Sequence, residues 1–482
     1  MSRVRAMSED WLAFWLGIFA FVLALGPLVG LDLLGWVVKA QIWTEFSQSL
    51  APVSEVYQGV NGFAALLATY VFLLALLAVG AWLLQARPAR FVLAFTAVFW
   101  ISYACWLLGH QANLAATTEA DMQNFGLSWS LRLTSEGGDI IALLAGLIIG
   151  NLFPRFAKWI GEATLAELYI KIAIVLLGVK IGVIAAEQLG LATTVIFRGL
   201  AAIIEAYLIY WAVVYFIARR YFRFSREWAA PLASGISICG VSAAMATAAA
   251  IRARPVVPIM VSSLVVIFAV VELLLLPWIA SFFLVNEPMV AGAWMGLAVK
   301  TDGAAVASGA ITESLLLSAA AAQGVQYQPG WILGATTTVK LFIDIFIGIW
   351  AFILAYLWAT RIEPREGNRP RTKEIWQRFP KFVIGYVVTF ALTLVIGLNV
   401  SPEFLERRLS VSAGEADVFR QLFFVMTFFS IGVVSNFRKL QEEGIGRLAA
   451  VYMVSLFGFI IWIGLAISFI FFAGIEPPLA DR

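Results

Sequence analysis

Apolar runs of about 20 residues, the length that carries a helix across a bilayer's hydrocarbon core, recur from one end of the chain to the other. The first three are Trp11–Leu31, Gly62–Leu84 and Phe91–Leu108, and the last three are Phe382–Val400, Val418–Phe437 and Leu448–Phe472. In lipid every backbone polar group must be satisfied internally, which leaves helices or a closed barrel. A barrel would show shorter segments of alternating polarity, and these runs do not alternate. The expected fold class is an all-α polytopic membrane protein of about 11–13 transmembrane segments. Of 482 residues, 62% are hydrophobic and 13% charged. A soluble domain would be nearer a quarter charged.

The net charge of +3 is unevenly placed and reads as membrane orientation, with no nucleic-acid partner. Arg3 and Arg5 put the N-terminus in the cytoplasm, and the polar stretches carrying Asp32, Glu45, Glu55, Glu119 and Asp121 lie outside. Asp139–Phe153, Leu168–Ala185 and Gly199–Ala218 then alternate, with Arg155 and Lys158 inside, Glu187 outside and Arg219, Arg220, Arg223 and Arg226 inside. Arg438, Lys439 and Arg447 leave the C-terminus outside. The expected location is a bacterial inner membrane, crossed many times. The first run lacks a cleavage site and should persist as a helix. Cys105 and Cys239 make no disulfide or metal pattern, and the single His110 suits packing at an interface. No cofactor, metal or enzymatic motif is expected.

Two stretches break the apolar monotony. Pro231–Pro258 (PLASGISICGVSAAMATAAAIRARPVVP) is built of Ser, Gly, Ala, Cys and Thr between Ser234 and Thr247, and Gly296–Ile311 (GLAVKTDGAAVASGAI) is alike. Small residues let backbones approach closely, and irregular backbone at membrane depth is tolerated where protein encloses it or a wet cavity adjoins it. Charge placement favours a hairpin at 231–250 entering from inside, because Arg252 and Arg254 then stay cytoplasmic, with a broken helix that crosses as the alternative. The segment 289–323 must return to the outside it left, because Trp331–Trp358 ends inside before Arg361, Arg365 and Arg369. Two hairpins from opposite faces are the signature of an inverted repeat. An echo supports it: Gly178 lies twelve residues before Gly190 on an outward run, and Gly432 twelve before Gly444 on an inward one.

Ionisable residues at membrane depth mark sites or buried pairs. The substrate-binding candidates are Ser237, Cys239, Gly240 and Ser242 from the first stretch and Lys300, Asp302 and Gly303 from the second. Hydroxyls, a cation and free N–H groups at helix breaks suit a small oxyanion. Close helix packing or a surface turn are the bland alternatives. Glu205, Glu272, Lys340, Asp344 and Lys180 are candidates for ion coupling. Lys340 and Asp344, spaced i,i+4, share a helix face and could be a structural pair, and Lys180 could snorkel to the interface.

From about Asp139 to Phe472 the chain resembles the YeiH-like family of proposed sulfate exporters of bacterial inner membranes. ALLAGLIIGN (142–151), IKIAIVLLGVKIG (170–182), SGISICGVSAAMAT (234–247), VVIFAVVELLLLPWI (265–279), GAWMGLAVKTDGAAVASGAI and the terminal SIGVVSNFRKL carry the resemblance. It implies an inverted-repeat secondary transporter of anions, with sulfate or small sulfonates as substrate. Two positions depart from the family: TAAAIRARP replaces a Glu in a T-E-P context, and Lys300-Thr301 replaces a His-Glu pair. Those departures should change the substrate or the coupling ion. The organisation expected is an N-terminal three-helix extension (1–138), a first core half (139–284) and a second (285–482) with a cytoplasmic linker at 361–381. The expected function is alternating-access transport of a small anion with proton or sodium coupling, in a homo-oligomer. A cation–proton antiporter and a non-transporting scaffold or sensor are the alternatives.

Overall fold

The computed structural model describes residues 7–84, 88–116, 119–130, 137–187, 189–254, 256–362, 380–435 and 446–480. Most of the linker at 361–381, the N-terminal Arg3 and Arg5, and the basic turn with Arg438 and Lys439 lie outside the described residues. The chain is an all-α polytopic membrane protein, as its periodic apolar runs predict. Among the described residues ten helices are long and apolar enough to cross a membrane.

The extension contributes α1 (Glu9–Ala24), α2 (Gly62–Leu83) and α3 (Pro88–Gly109). Ser8 caps α1 by accepting from the Trp11 N–H, and Asn61 caps α2 through the Phe63 N–H at 2.8 Å. Between α1 and α2 a small antiparallel pair, β1 (Val38–Ala40) and β2 (Leu50–Pro52), closes over the end of α3, where Trp43 Nε1 donates to Leu107 O at 2.9 Å. Next come α4 (Gly137–Leu152), bent by 116° into the short α5 (Pro154–Ile160) at a proline, and α6 (Ala166–Glu187).

The long helix α7 (Leu189–Arg220) holds a π turn over Glu205–Tyr210. It leads to two short helices, α8 (Arg226–Ser237) and α9 (Val241–Ile251), then to α10 (Val256–Phe283). The second half opens on α11 (Pro288–Ala298) and α12 (Asp302–Ala322) and continues with α13 (Trp331–Ile362), α14 (Lys381–Asn399), α15 (Ser410–Val434) and α16 (Gly446–Phe472).

Both small-residue stretches double back, the first on two short helices and the second on the 11-residue α11 and the 21-residue α12. At 12 and 11 residues, α8 and α9 reach roughly 16–18 Å, about half the hydrocarbon thickness. Their outer ends are tied: Arg254 Nε lies 3.1 Å from the Glu227 carboxylate, and the Arg254 N–H donates to the same group at 2.8 Å. The legs are tied deeper in, where Ser234 Oγ receives Trp211 Nε1 at 2.9 Å and Thr247 Oγ1 at 2.7 Å. The second hairpin is closed by the chain's last residues. Gly474 N–H donates to Glu287, just before α11, and Gln328 N–H donates to Pro478 O, just after α12. Both ends of α11–α12 therefore lie on one face.

The helices sort into two groups. A scaffold is built on α4, α6, α14 and α15, with α6 packed along both α14 and α15, and α15 along α4. A core holds α7, both hairpins, α10, α13 and α16. The contacts obey a pseudo-two-fold that pairs α4 with α14, α6 with α15, α7 with α16, the first hairpin with the second, and α10 with α13. In sequence the second repeat is permuted: its hairpin and α13 come before its scaffold helices. Half of the glycine echo has a structural cause, at Gly178 and Gly432; a Cβ on Gly190 would meet nothing within 4 Å, and Gly444 lies outside the described residues. A Cβ on Gly178 of α6 would fall 2.6 Å from Tyr386 O of α14, and one on Gly146 of α4 would fall 3.0 Å from Gly432 Cα of α15. Each is a crossing where backbones touch. The extension obeys the same symmetry, since α1 packs on α6 and α14 while α3 packs on α4 and α15.

Candidate functional site

The two hairpin tips cross near the middle of the core. The first is broken at Ile238–Gly240, where Gly240 takes φ +71° and ψ −113°, a conformation that L side chains rarely adopt. The second is extended at Val299–Thr301, and Thr301 caps α12 by accepting from the Ala304 N–H at 3.2 Å. A Cβ at Gly240 would stand 3.0 Å from Thr301 Cγ2 and 3.2 Å from Lys300 O, so glycine is what lets the breaks touch.

A broken helix leaves carbonyls unpaired at one half and N–H groups at the other, with partial charges to match. Lys340 of α13 answers the carbonyls. Its Nζ donates to Ile238 O at 2.8 Å and to Lys300 O at 3.1 Å, and Val299 O is 3.5 Å away. One buried ammonium thus joins the C-terminal ends of α8 and α11. Asp302, the first residue of α12, brings Oδ1 to 3.8 Å from the same Nζ. Asp344, one turn beyond Lys340, and the Cys239 thiol complete the cluster: the ligand atoms of Cys239, Asp302 and Asp344 all lie within 4.8 Å of one another. All four side chains are buried.

Lys300 faces the other way, although only Thr301 separates it from Asp302. Its ammonium donates to Leu297 O and sits 4.4 Å from the centre of the Tyr210 ring, while its N–H donates to Glu272 Oε2 at 3.0 Å. Glu272 also accepts from Tyr452 Oη at 3.0 Å. Glu205 lies in the π turn of α7 within electrostatic reach of Lys300, fully buried and with neither oxygen hydrogen-bonded. The candidates fall into two compartments, one at the tip crossing and one between α7, α10 and α16.

Ser237 ends α8 with a buried hydroxyl that has no hydrogen-bond partner, and Ser242 stands in the first turn of α9. Gly303 faces the scaffold, where a Cβ would meet Ile170 of α6 and Ile431 of α15 at 3.6 and 3.7 Å. Lys180 is apart from both compartments. Its Nζ is 3.6 Å from Asp417, which Arg420 also binds, beside a cavity of about 300 Å³ lined by Gln328, Ser410 and Gly414.

A third group went unnoticed in the sequence. Lys171 of α6 holds Glu9 and Asp10 of α1 at 2.9 Å each, with Glu167 beside it, and Asp302 is within electrostatic reach of Lys171 and Glu167. Glu167 and Lys171 have the i,i+4 spacing that singled out Lys340 and Asp344, so the same test would have found them.

Residues 124–451 match a family model described as conserved hypothetical protein 698. A UPF0324 membrane protein of Nitrosomonas europaea is 41% identical over 478 residues, covering 98% of this chain and 97% of that protein. An uncharacterized protein of Archaeoglobus fulgidus is 51% identical over 167 residues, which is 30% of this chain and 89% of that one. A UPF0324 membrane protein of Nitratidesulfovibrio vulgaris is 28% identical over 82% of this chain, which spans 61% of the relative. No solved structure matches.

Proposed function

The chain belongs to the conserved hypothetical protein 698 family, the UPF0324 membrane proteins that the YeiH-like motifs indicate, and from that premise we propose that it is a secondary transporter of a small anion. The observation that carries the reading is the meeting of two helix breaks at Gly240 and Thr301, on hairpins whose open ends lie beside opposite ends of α16, where Arg447 Nη2 donates to Phe222 O and Gly474 N–H donates to Glu287. Such a crossing serves little purpose in a static bundle, because it sets buried partial charges where an intact helix would have none. It does give a transporter one central site reachable from either face.

The anion would lie at the N-terminal ends of α9 and α12, where backbone N–H groups and the Ser237 hydroxyl are the donors and Lys340 supplies positive charge. Sulfate and small sulfonates are the class this donor set suits. Alternating access would move the core against the scaffold. The contact between them runs through α12 and α13 against α4, α6 and α15, and small residues such as Gly303 leave that surface smooth. In this reading the membrane is a bacterial inner membrane with the N-terminus inside and the C-terminus outside. Self-association would use the side of the scaffold that carries α2, whose outer face is largely exposed.

A second reading, cation–proton antiport, is favoured by one observation, the convergence of Asp302 and Asp344 beside Lys340. Flux separates the two. Purified protein in liposomes should exchange labelled sulfate across the bilayer, and Lys340→Ala should abolish it. No movement of sulfate, sulfite, sulfonates or bicarbonate under any proton or sodium gradient refutes the anion reading, and sodium–proton exchange in the same vesicles supports the antiporter instead.

A further inference from the structure

The charges at the crossing do not balance. Lys340 is one cation and Asp302 and Asp344 are two acids, all three buried. Nor is Lys340 free to neutralise both, since its donors are directed at the carbonyls of Ile238, Lys300 and Val299. Asp344 is 1% exposed, and neither of its oxygens receives a hydrogen bond; Asp302 Oδ1 receives none either. A carboxylate oxygen of Asp302 lies within 4.8 Å of one of Asp344.

Two ionised carboxylates this close in a dry interior repel strongly, whereas one proton between them lets the pair draw together in a charge-assisted hydrogen bond. Among the described residues no charged donor beside the pair is free to neutralise it. Tyr207 of α7 gives its hydroxyl proton to Ile343 O. Lys171 of α6 is engaged by Glu9 and Asp10 of α1, with Glu167 beside it. Lys300 faces the second compartment, and Cys239 is a weak donor beside the pair.

We infer that Asp302 and Asp344 share a single exchangeable proton at the crossing of the two helix breaks, and that this proton is the ion coupled to transport. Its role in coupling rests on the transporter reading; its presence does not. With the proton in place, Lys340 and the pair sum to zero and the N-terminal ends of α9 and α12 can accept an anion. When the proton leaves, the pair carries two negative charges beside that position and repels the anion. Anion and proton therefore enter and leave together, in symport. The group of Lys171, Glu167, Glu9 and Asp10 leads from the buried pair toward partly exposed carboxylates on α1, with Glu9 40% and Asp10 28% exposed at the side chain, and offers the proton a route.

Infrared spectroscopy of the full-length protein in lipid tests this without knowledge of the substrate. Wild-type protein at neutral pH should show a protonated-carboxyl C=O stretch that Asp344→Asn removes. Asp302→Asn should remove the same band, and the double variant should remove no more than either single one, because one proton is shared. Asp344→Glu should restore the band at a shifted frequency, which separates loss of the proton from loss of the fold, and monodisperse elution checks each variant. A band that survives both single substitutions places the proton elsewhere and overturns the inference. So does a wild-type protein that lacks the band and gains stability from sodium chloride, which would assign the pair to sodium. Sulfate flux in liposomes distinguishes the two failures: an intact band without flux sinks the transporter reading alone, and flux without the band sinks this one.

Discussion

Gly240→Ala should disrupt the crossing. The backbone at Gly240 has φ +71° and ψ −113°, and forcing an L residue there costs on the order of 1–3 kcal/mol. The new Cβ would lie 2.7 Å from Val265 Cγ1 and 3.0 Å from Thr301 Cγ2, and such overpacking adds about 1–3 kcal/mol. Both effects have the same sign, so the total is about 2–6 kcal/mol; a middle value near 4 corresponds to roughly a thousandfold change in the folded-to-unfolded ratio. Gly303→Ala is the control. It is helical, its Cβ would meet nothing nearer than 3.6 Å, and replacing a helical glycine with alanine stabilises by about 0.5–1 kcal/mol. Thermal denaturation of the detergent-purified protein gives the global effect. The Cys239 thiol, 2% exposed and next to the substituted residue, gives a local one through its rate of maleimide labelling in a Cys105→Ser background. Gly240→Ala should speed that labelling and Gly303→Ala should not. If Gly240→Ala melts and labels like the wild type, the tips do not cross as described.

Two further perturbations read other parts of the molecule. His110 lies one residue past α3, with Nδ1 2.8 Å from Trp106 O, and burial, opposed by that hydrogen bond and reinforced by Lys39, lowers its pKa from 6.5 to about 4. The folded state thus holds His110 neutral while the unfolded chain takes up a proton. Its contribution is complete above the unfolded value and is lost as pH falls from 6.5 toward about 4, by at most on the order of 3 kcal/mol, so His110→Gln should flatten the melting-temperature profile in that window. The hairpins are tested by impermeant labelling of intact cells carrying single cysteines. Glu227→Cys and Arg254→Cys should react from one side of the membrane and Glu287→Cys and Gln326→Cys from the other; opposite sides for Glu227 and Arg254 would mean that α8 and α9 cross the membrane.

The sequence carried the placement of the breaks because the physics of a break acts on composition. A backbone that must come within touching distance of another, as at Gly240, Gly292 or Gly296, excludes side chains, and that exclusion is written as Gly, Ala, Ser and Thr in otherwise bulky runs. Arg252 and Arg254 carried the return of the first hairpin to the side it left, because a charge marks the face where a segment ends, and the Arg254–Glu227 pair is the contact that closes it. The permuted order of the second repeat was not legible. Only the glycine echo between Gly178 and Gly432 hinted at it, and two glycines do not give an order. The partition of the charged residues was not legible either. Lys300 and Asp302 are almost adjacent, which suggests one site, yet the chain passes between them from extended backbone at Val299–Thr301 into helix at Asp302, and the two side chains leave it in different directions.

That partition decides what each lysine can do. Lys340 is spent on carbonyls of both hairpins, so any motion that separates the tips must also break its bonds to Ile238 or Lys300. A core that moves as one body keeps those bonds, whereas a core whose hairpins part must leave a buried ammonium unsatisfied, at about 1–3 kcal/mol or more for a charged group. The cheaper motion is rigid displacement of the whole crossing against the scaffold, which α1 and α3 brace from two symmetric sides. Double cysteine substitutions discriminate between the two. A cross-link within the core, between Ile251→Cys of α9 and Leu354→Cys of α13, should leave sulfate flux intact, whereas one from the core to the scaffold, between Gly303→Cys and Ile170→Cys, should stop it. The reverse pattern would require the hairpins themselves to part during each cycle.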